Sequence, residues 1–288
     1  MSKLHPLDDA ARADAPGQFV QLGDGMTHYE LAGPADGAPL VLVHGFSTPA
    51  FIWDPAFTAF AEAGFQVLRY DLYGRGYSDR PSVRYDRNLF HRQLVELLDA
   101  LDFPRPMALA GLSMGGAIAA VFTQRRPEQV KSLLLLDPVG LPMKESWQMK
   151  LVRTPLLGDL VMYLFGDWML VAGLKKDFSE PGDLSDYIAQ YKLQMQFSGF
   201  KRALLSTIRS RVLRGASDAF RTIGQTDIPV LLIWGEEDDV APFHLNAQLR
   251  QLIPQAEFYA IPNTRHLPHR EAPAQVIPII VDFLHRTA

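Results

Sequence analysis

The chain contains no cysteine among its 288 residues. This absence excludes disulfide bonds, thiolate metal sites and catalysis by a cysteine nucleophile. It does not identify a compartment, because many secreted proteins also lack cysteine. A large excess of one charge is missing too, since 28 Lys and Arg against 32 Asp and Glu give a net charge of -4. Net charge therefore gives no reason to expect nucleic acid or an anionic membrane as a partner.

Long apolar runs are also missing. Residues 1–17 are polar and contain no apolar core of signal-peptide length, so we expect a cytoplasmic location. No stretch approaches the roughly 20 apolar residues of a membrane span, so we expect no integral membrane segment. The apolar fraction of 48% and the charged fraction of 21% are ordinary for a globular enzyme, and the length allows a large core.

Short apolar runs alternate with helical patterns along most of the chain. This alternation predicts an α/β fold with a mostly parallel, doubly wound sheet covered by helices on both faces. It stops after the sixth apolar run, near Asp137, and a helical pattern rich in Met and large aromatic residues follows. We therefore predict a core made of residues 1–140 and 223–288, with a helical segment, 141–222, inserted after the sixth strand.

The most specific motif is G-L-S-M-G at residues 111–115, which reads G-x-S-x-G. An apolar strand-like run precedes it and a small, apolar helical run follows it. A serine between a strand and a helix is forced onto a tight turn, and the flanking glycines avoid collisions with neighbouring backbone. The turn presents the Ser113 hydroxyl beside the first amides of a helix, where negative charge is favoured. Ser113 is therefore a candidate nucleophile, which still needs a base and an orienting acid.

Two candidates for these roles follow later strands. Asp238 ends the run W-G-E-E-D at residues 234–238, and His266 follows the last predicted strand. Ligand sites of open α/β sheets lie beyond the carboxyl ends of the strands, where Ser113, Asp238 and His266 are all expected. Glu237 and Asp239 remain alternatives for the acid.

Other histidines compete with His266 for the role of base. We expect His44 to shape its own loop through local hydrogen bonds and His269 to be a solvated or capping residue. His244 and His285 are expected on helix surfaces. The spacing of His266 and His269 suggests a metal pair, but no third ligand is near in sequence, so we predict no metal site.

The chain resembles the α/β-hydrolase fold family, in its serine esterase or lipase form with a helical cap. The resemblance spans about residues 19–286 and rests on linked motifs, which are H-G-F at 44–46, D-L-Y-G-R-G-Y-S-D at 71–79, G-L-S-M-G at 111–115, W-G-E-E-D at 234–238 and H-L-P-H-R-E-A-P at 266–273. The order Ser, Asp, His is that of the family. The inserted helical segment matches the cap that family members carry over the active site.

The resemblance implies a role for each matching residue. Ser113 is the nucleophile, His266 the general base, and Asp238 the acid that orients the imidazole. The backbone N–H groups of Phe46 and Met114 form the oxyanion hole.

Two features qualify the resemblance. Asp137 is a rival for the acid, because some members of the family place the acid after the sixth strand. Arg265 stands where the family usually has glycine, which affects the expected shape of the histidine loop.

The expected function is hydrolysis of a small-molecule carboxylic ester through an acyl-enzyme, with no cofactor. The serine at position 113 argues against haloalkane dehalogenases and epoxide hydrolases. Those enzymes resemble the chain elsewhere but have an aspartate at the corresponding turn. The same triad also serves carbon-carbon bond hydrolases, acyl transferases and cofactor-free perhydrolases, and some proteins of this fold are ligand receptors. The sequence does not indicate the oligomeric state.

Overall fold

The computed structural model describes residues 4–145, 147–180 and 182–288. Within these residues eight strands form a single sheet, ordered β1-β2-β4-β3-β5-β6-β7-β8. The strands are β1 (Gln18–Leu22), β2 (Gly25–Ala32), β3 (Ala38–Val43), β4 (Phe65–Tyr70), β5 (Met107–Leu112), β6 (Val130–Leu136), β7 (Val230–Gly235) and β8 (Glu257–Ile261). β2 pairs antiparallel with β1 and β4, and the remaining pairs are parallel. The predicted mostly parallel, doubly wound sheet is confirmed.

Strands β3, β5 and β7 contain no polar side chain because both faces of the sheet are covered. In β3, Val41 and Val43 belong to one hydrophobic cluster, whereas Leu40 and Leu42 belong to the other. Successive side chains of a strand point to opposite faces, so one uninterrupted apolar run supplies both layers of core.

Twelve helices lie within the described residues. They are α1 (Asp9–Arg12), α2 (Asp54–Glu62), α3 (Arg87–Ala100), α4 (Met114–Arg125), α5 (Trp147–Arg153), α6 (Leu157–Lys176), α7 (Ser185–Met195), α8 (Phe200–Arg209), α9 (Ser217–Ile223), α10 (Leu245–Leu252), α11 (Pro268–Glu271) and α12 (Pro273–Thr287). Helices α3, α4, α9 and α10 cover one face of the sheet, and α2 and α12 cover the other.

The segment between β6 and β7 is helical, as the sequence predicts, and α5 to α8 form a layer of their own. Helix α9 differs, because it packs against α4 and its Ala219 and Phe220 are buried in the core cluster on that face. The last few residues of the predicted 141–222 insertion therefore lie with the core layer. By length and composition alone, one described helix, α6, is long and apolar enough to cross a membrane.

Candidate active site

Ser113 lies on a strained turn between β5 and α4. Its φ of 53° and ψ of -116° fall where residues with a side chain are rare. A Cβ on Gly111 would lie 2.4 Å from the carbonyl oxygen of Gly115, and one on Gly115 would lie 2.1 Å from that of Val43. Glycine is therefore required at both positions for the turn to close. The turn places the Ser113 side chain at the N-terminus of α4, beyond the carboxyl end of the sheet.

His266 and Asp238 form a buried pair at the same edge of the sheet. His266 Nδ1 lies 2.8 Å from Asp238 Oδ2, and Asp238 Oδ1 accepts hydrogen bonds from the backbone N–H groups of Val240 (2.8 Å) and Ala241 (3.0 Å). With Nδ1 donating to the carboxylate, Nε2 is the nitrogen left to exchange a proton. Burial by itself lowers the pKa of His266, but the charge and hydrogen bond of Asp238 outweigh it and hold that pKa above its ordinary value.

Asp137, the rival acid, lies next to this pair without hydrogen-bonding His266. It follows β6, and its Oδ1 accepts from the N–H of Gly235 at 2.9 Å. A carboxylate oxygen of Asp137, a carboxylate oxygen of Asp238 and a ring nitrogen of His266 all lie within 4.8 Å of one another. Burial, and then the neighbouring charge of Asp238, raise the pKa of Asp137 well above its usual range. This shift favours the protonated form of Asp137, because a second negative charge beside the carboxylate of Asp238 would be repelled.

The peptide that the resemblance assigns to the oxyanion hole is fixed by a buried histidine. His44 Nδ1 lies 2.9 Å from the carbonyl oxygen of Gly45, and His44 Nε2 accepts the N–H of Leu72 at 2.9 Å. Burial lowers the pKa of His44 to about 4, so the ring is neutral with its proton on Nδ1. His44 thus orients the Gly45–Phe46 peptide, whose N–H belongs to Phe46.

This loop lies directly against the nucleophile. A Cβ on Gly45 would be 3.4 Å from Ser113 Cβ. Met114 is the first residue of α4, so its N–H has no acceptor within the helix. Met114 thus follows Ser113 directly in the chain, and Gly45, the residue before Phe46, lies against the Ser113 side chain.

The contacts of Arg75 cannot be read from the sequence, in which the residue stands only as part of the D-L-Y-G-R-G-Y-S-D motif at 71–79. The buried Arg75 side chain donates from Nε to the carbonyl oxygen of Phe46 at 2.8 Å and from a terminal nitrogen to Thr207 Oγ1 in α8 at 3.0 Å. It thereby links the loop that contains Phe46 to the inserted helices. No local pattern reveals this, because the partners lie far from residue 75 in the sequence.

Similarity to known proteins identifies the family of the chain. Residues 40–279 match the sequence profile described as "Alpha/beta hydrolase family". The chain belongs to the alpha/beta hydrolase family.

Lipase 1 of Psychrobacter immobilis is 28% identical over 260 residues, which cover 87% of this hydrolase and 77% of the lipase. The 2-hydroxymuconate semialdehyde hydrolase of Pseudomonas sp. (strain CF600) is 26% identical over 253 residues, covering 86% and 87% of the two chains. A thermophilic esterase from Thermogutta terrifontis matches in structure with a TM-score of 0.80 and 24% identity, over 94% of this hydrolase and 99% of that chain. The structural likeness confirms the fold, whereas the names of the relatives span more than one reaction.

The C-terminal end of α6 is joined to the loop that carries His266. The N–H of His266 donates to the carbonyl oxygen of Asp177 at 3.1 Å. Glu271 accepts the N–H of Arg265 through one carboxylate oxygen (2.8 Å) and that of Ser179 through the other (2.6 Å). Burial raises the pKa of Asp177 to about 6 despite the opposing charge of His266. The inserted helices of this hydrolase therefore contact the loop that carries His266 directly.

The remaining histidines take structural positions. His269 was expected to be a solvated or capping residue, and the solvated alternative is wrong. The ring is buried, its Nε2 donates to the backbone carbonyl oxygen of Ile52 at 3.0 Å, and it lies 4.8 Å from the ring of Trp53. Burial lowers the pKa of His269 to about 3, so the ring is neutral. His244 and His285 are exposed, as the sequence predicts.

Proposed function

We propose that this hydrolase cleaves carboxylic esters through an acyl-enzyme intermediate. The observation that carries the proposal is the His266–Asp238 pair, buried at the sheet edge beyond which the strained turn presents Ser113. A hydroxyl becomes a nucleophile when an adjacent base is oriented by a third group, and these residues supply that set.

The reaction follows from these positions. Ser113 Oγ attacks the ester carbonyl and transfers its proton to His266 Nε2. The carbonyl oxygen becomes an anion that accepts hydrogen bonds from the N–H groups of Phe46 and Met114, each worth roughly 10²- to 10³-fold in kcat. His266 then protonates the leaving alcohol. In the second half, His266 takes a proton from water, the resulting hydroxide attacks the acyl carbon, and Ser113 leaves with its proton restored.

Asp238 and Asp137 divide the electrostatic work. The ionised Asp238 stabilises the imidazolium that forms in each half-reaction. The raised pKa of Asp137 disfavours a second negative charge at this position, which would raise the pKa of His266 further. The mechanism uses no cofactor and no metal.

An ester substrate is also supported by similarity to a protein named as a lipase. The inserted helices contribute many apolar and aromatic side chains, which suit acyl or aryl groups better than highly charged substrates. We keep the cytoplasmic location as a prediction.

A carbon-carbon bond hydrolase is the second candidate, because one relative is named as a semialdehyde hydrolase. The same nucleophile, base and oxyanion donors serve both reactions, so the triad does not separate them. The substrate profile does.

The test is labelling with a fluorophosphonate, together with turnover of p-nitrophenyl esters and of 2-hydroxydienoic acids. We expect labelling at Ser113 and faster turnover of the esters. Ser113→Ala should abolish labelling and lower kcat by roughly 10⁶-fold, whereas Ser185→Ala, an exposed serine of α7, should change neither. Preferential turnover of the dienoic acids would support the second candidate. Near-normal activity of Ser113→Ala would refute the nucleophile.

A further inference from the structure

Large apolar side chains are concentrated on one surface of the inserted helices. The described residues include fourteen exposed large hydrophobic side chains, and eight of them fall between residues 147 and 168. These eight residues, which we call the cap face, are Trp147, Leu156, Leu157, Leu160, Tyr163, Leu164, Phe165 and Trp168. A folded monomer rarely leaves so many neighbouring apolar groups in water without a partner.

Helix α6 supplies most of the cap face and lies along the protein surface. Its opposite side packs on the other inserted helices, where Met162 and Gly166 are buried. A helix with one packed side and one apolar exposed side is suited to lie in the plane of a bilayer surface, not to cross it. Trp147, Tyr163 and Trp168 belong to the residue types that favour the boundary between headgroups and acyl chains.

Charge is distributed unevenly along the chain in a way that favours an anionic surface. Residues 141–215 contain eleven Lys and Arg but seven Asp and Glu, although the whole chain has a net charge of -4. Around the cap face, Asp159 and Asp167 are paired with Arg209 and Lys201. Lys175, Lys176 and Lys192 form no ion pair within the described part of the chain. The overall net charge thus conceals a basic region, and basic residues beside an apolar helix face attract anionic lipids.

We propose that the cap face docks on an anionic lipid bilayer. The apolar side chains enter the headgroup boundary, and the neighbouring lysines contact lipid phosphates. A second copy of this chain fits less well, because pairing two cap faces would bring two basic regions together. Docking also places the C-terminal end of α6, and with it the His266 loop, near the lipid surface.

The tryptophans provide a direct readout. Of the four in the chain, Trp53 and Trp234 are 0% exposed, whereas Trp147 and Trp168 are 70% and 72% exposed. Adding vesicles of phosphatidylcholine and phosphatidylglycerol to the full chain should therefore shift tryptophan emission to shorter wavelength. Brominated lipids should quench that emission, and co-flotation with the vesicles gives the partition coefficient.

Variants test which surface binds. Combining Phe165→Ser with Trp168→Ser should lower the partition coefficient by roughly tenfold or more, because binding strength scales with the apolar area inserted. Leu31→Ser, at a 45% exposed position on β2 outside the cap face, is the control and should leave it unchanged. Each of Lys175→Gln and Lys176→Gln should weaken binding to anionic vesicles by roughly fivefold. Thermal melts verify that all variants fold.

The outcomes separate docking from catalysis. Ser113→Ala should bind vesicles as the unmodified chain does, so loss of esterase activity leaves the docking proposal intact, and absence of docking leaves the proposed function intact. Docking is refuted if the unmodified chain neither floats with anionic vesicles nor shifts its emission. It is also refuted if sedimentation shows a dimer that the Phe165 and Trp168 substitutions dissociate while vesicles stay unbound, since a second copy then covers the face.

Discussion

Protonation states at three neighbouring residues determine how the candidate site works. Asp238 offers His266 a carboxylate oxygen at 2.8 Å, while burial and the charge of Asp238 raise the pKa of Asp137 and favour its protonated form. Asp137 still contributes to the architecture, since its Oδ1 holds the N–H of Gly235 at the end of β7. The two carboxyl groups therefore have separate tasks although they occupy one edge of the sheet.

Replacing each acid by its amide distinguishes these tasks. Asp238→Asn removes the charge that stabilises the imidazolium and changes the preferred tautomer of His266, so kcat should fall by roughly 10⁴-fold. Asp137→Asn replaces one neutral group by another, so kcat should fall by less than about tenfold. Steady-state kinetics on a p-nitrophenyl ester measures both effects. The reverse ranking would show that Asp137 is the orienting acid.

The pH dependence of kcat/KM reports His266. The base must be neutral, and its pKa is raised, so kcat/KM should fall with decreasing pH around a midpoint above 6.5. The charge of Asp177 contributes to that rise, so Asp177→Asn should move the midpoint to lower pH while most activity at high pH remains. Asp183→Asn, at an exposed carboxylate of the inserted segment, should leave the midpoint unchanged. An unshifted midpoint in Asp177→Asn would mean that the charge of Asp177 does not act on His266.

At the scale of elements, the sheet and the turn that carries Ser113 could be predicted from the sequence because both depend on residues that are close together in it. Apolar runs determine the strands, and Gly111 and Gly115 are required by backbone contacts within or next to the turn. The neighbours of His266 are of another kind, since Asp177 and Glu271 reach its loop through contacts that only the folded chain brings together.

The same reason explains the errors of the sequence interpretation. His269 was expected to be solvated or capping, and nothing near it in the sequence shows that Ile52 and Trp53 enclose it. Likewise, a helical pattern in the sequence does not show that Phe220 of α9 packs toward α4 and not with its neighbours in sequence.

The connection between α6 and the histidine loop can be tested at Glu271. This carboxylate bridges Ser179, just beyond α6, and Arg265, next to the base. Glu271→Ala releases both N–H groups, so we expect kcat/KM to fall by about tenfold or more, since small displacements of a base are costly. Glu257→Ala, which breaks a surface ion pair with Arg286, is the control and should leave kcat/KM unchanged. Equal kinetics of the two variants would show that the bridge does not position His266.

For the whole molecule, burial gives several titratable groups pKa values that differ from those they would have in the unfolded chain. His44 and His269 are neutral inside the core, with pKa values lowered to about 4 and about 3. Asp177 has the opposite effect, because its pKa is raised to about 6 and the folded state binds its proton first. The dependence of stability on pH is therefore a sum of opposing contributions, and a single group is best isolated by substitution.

His269 allows that isolation because it lies outside the candidate catalytic groups. Between about pH 6.5 and about pH 3 the unfolded chain binds a proton at residue 269 that the folded chain does not, so this residue makes stability fall as pH falls. Each pH unit in that window removes about 1.4 kcal/mol from the free energy of unfolding. From pH 6.5 to pH 4.5 the unmodified chain should thus lose roughly 2–3 kcal/mol more than His269→Gln, whatever the other groups contribute to both. Urea denaturation at the two pH values measures this difference, with His285→Gln as the exposed control. If His269→Gln loses as much stability as the unmodified chain, the buried ring does not resist protonation, and acid lability has to come from His44 or from the carboxylates.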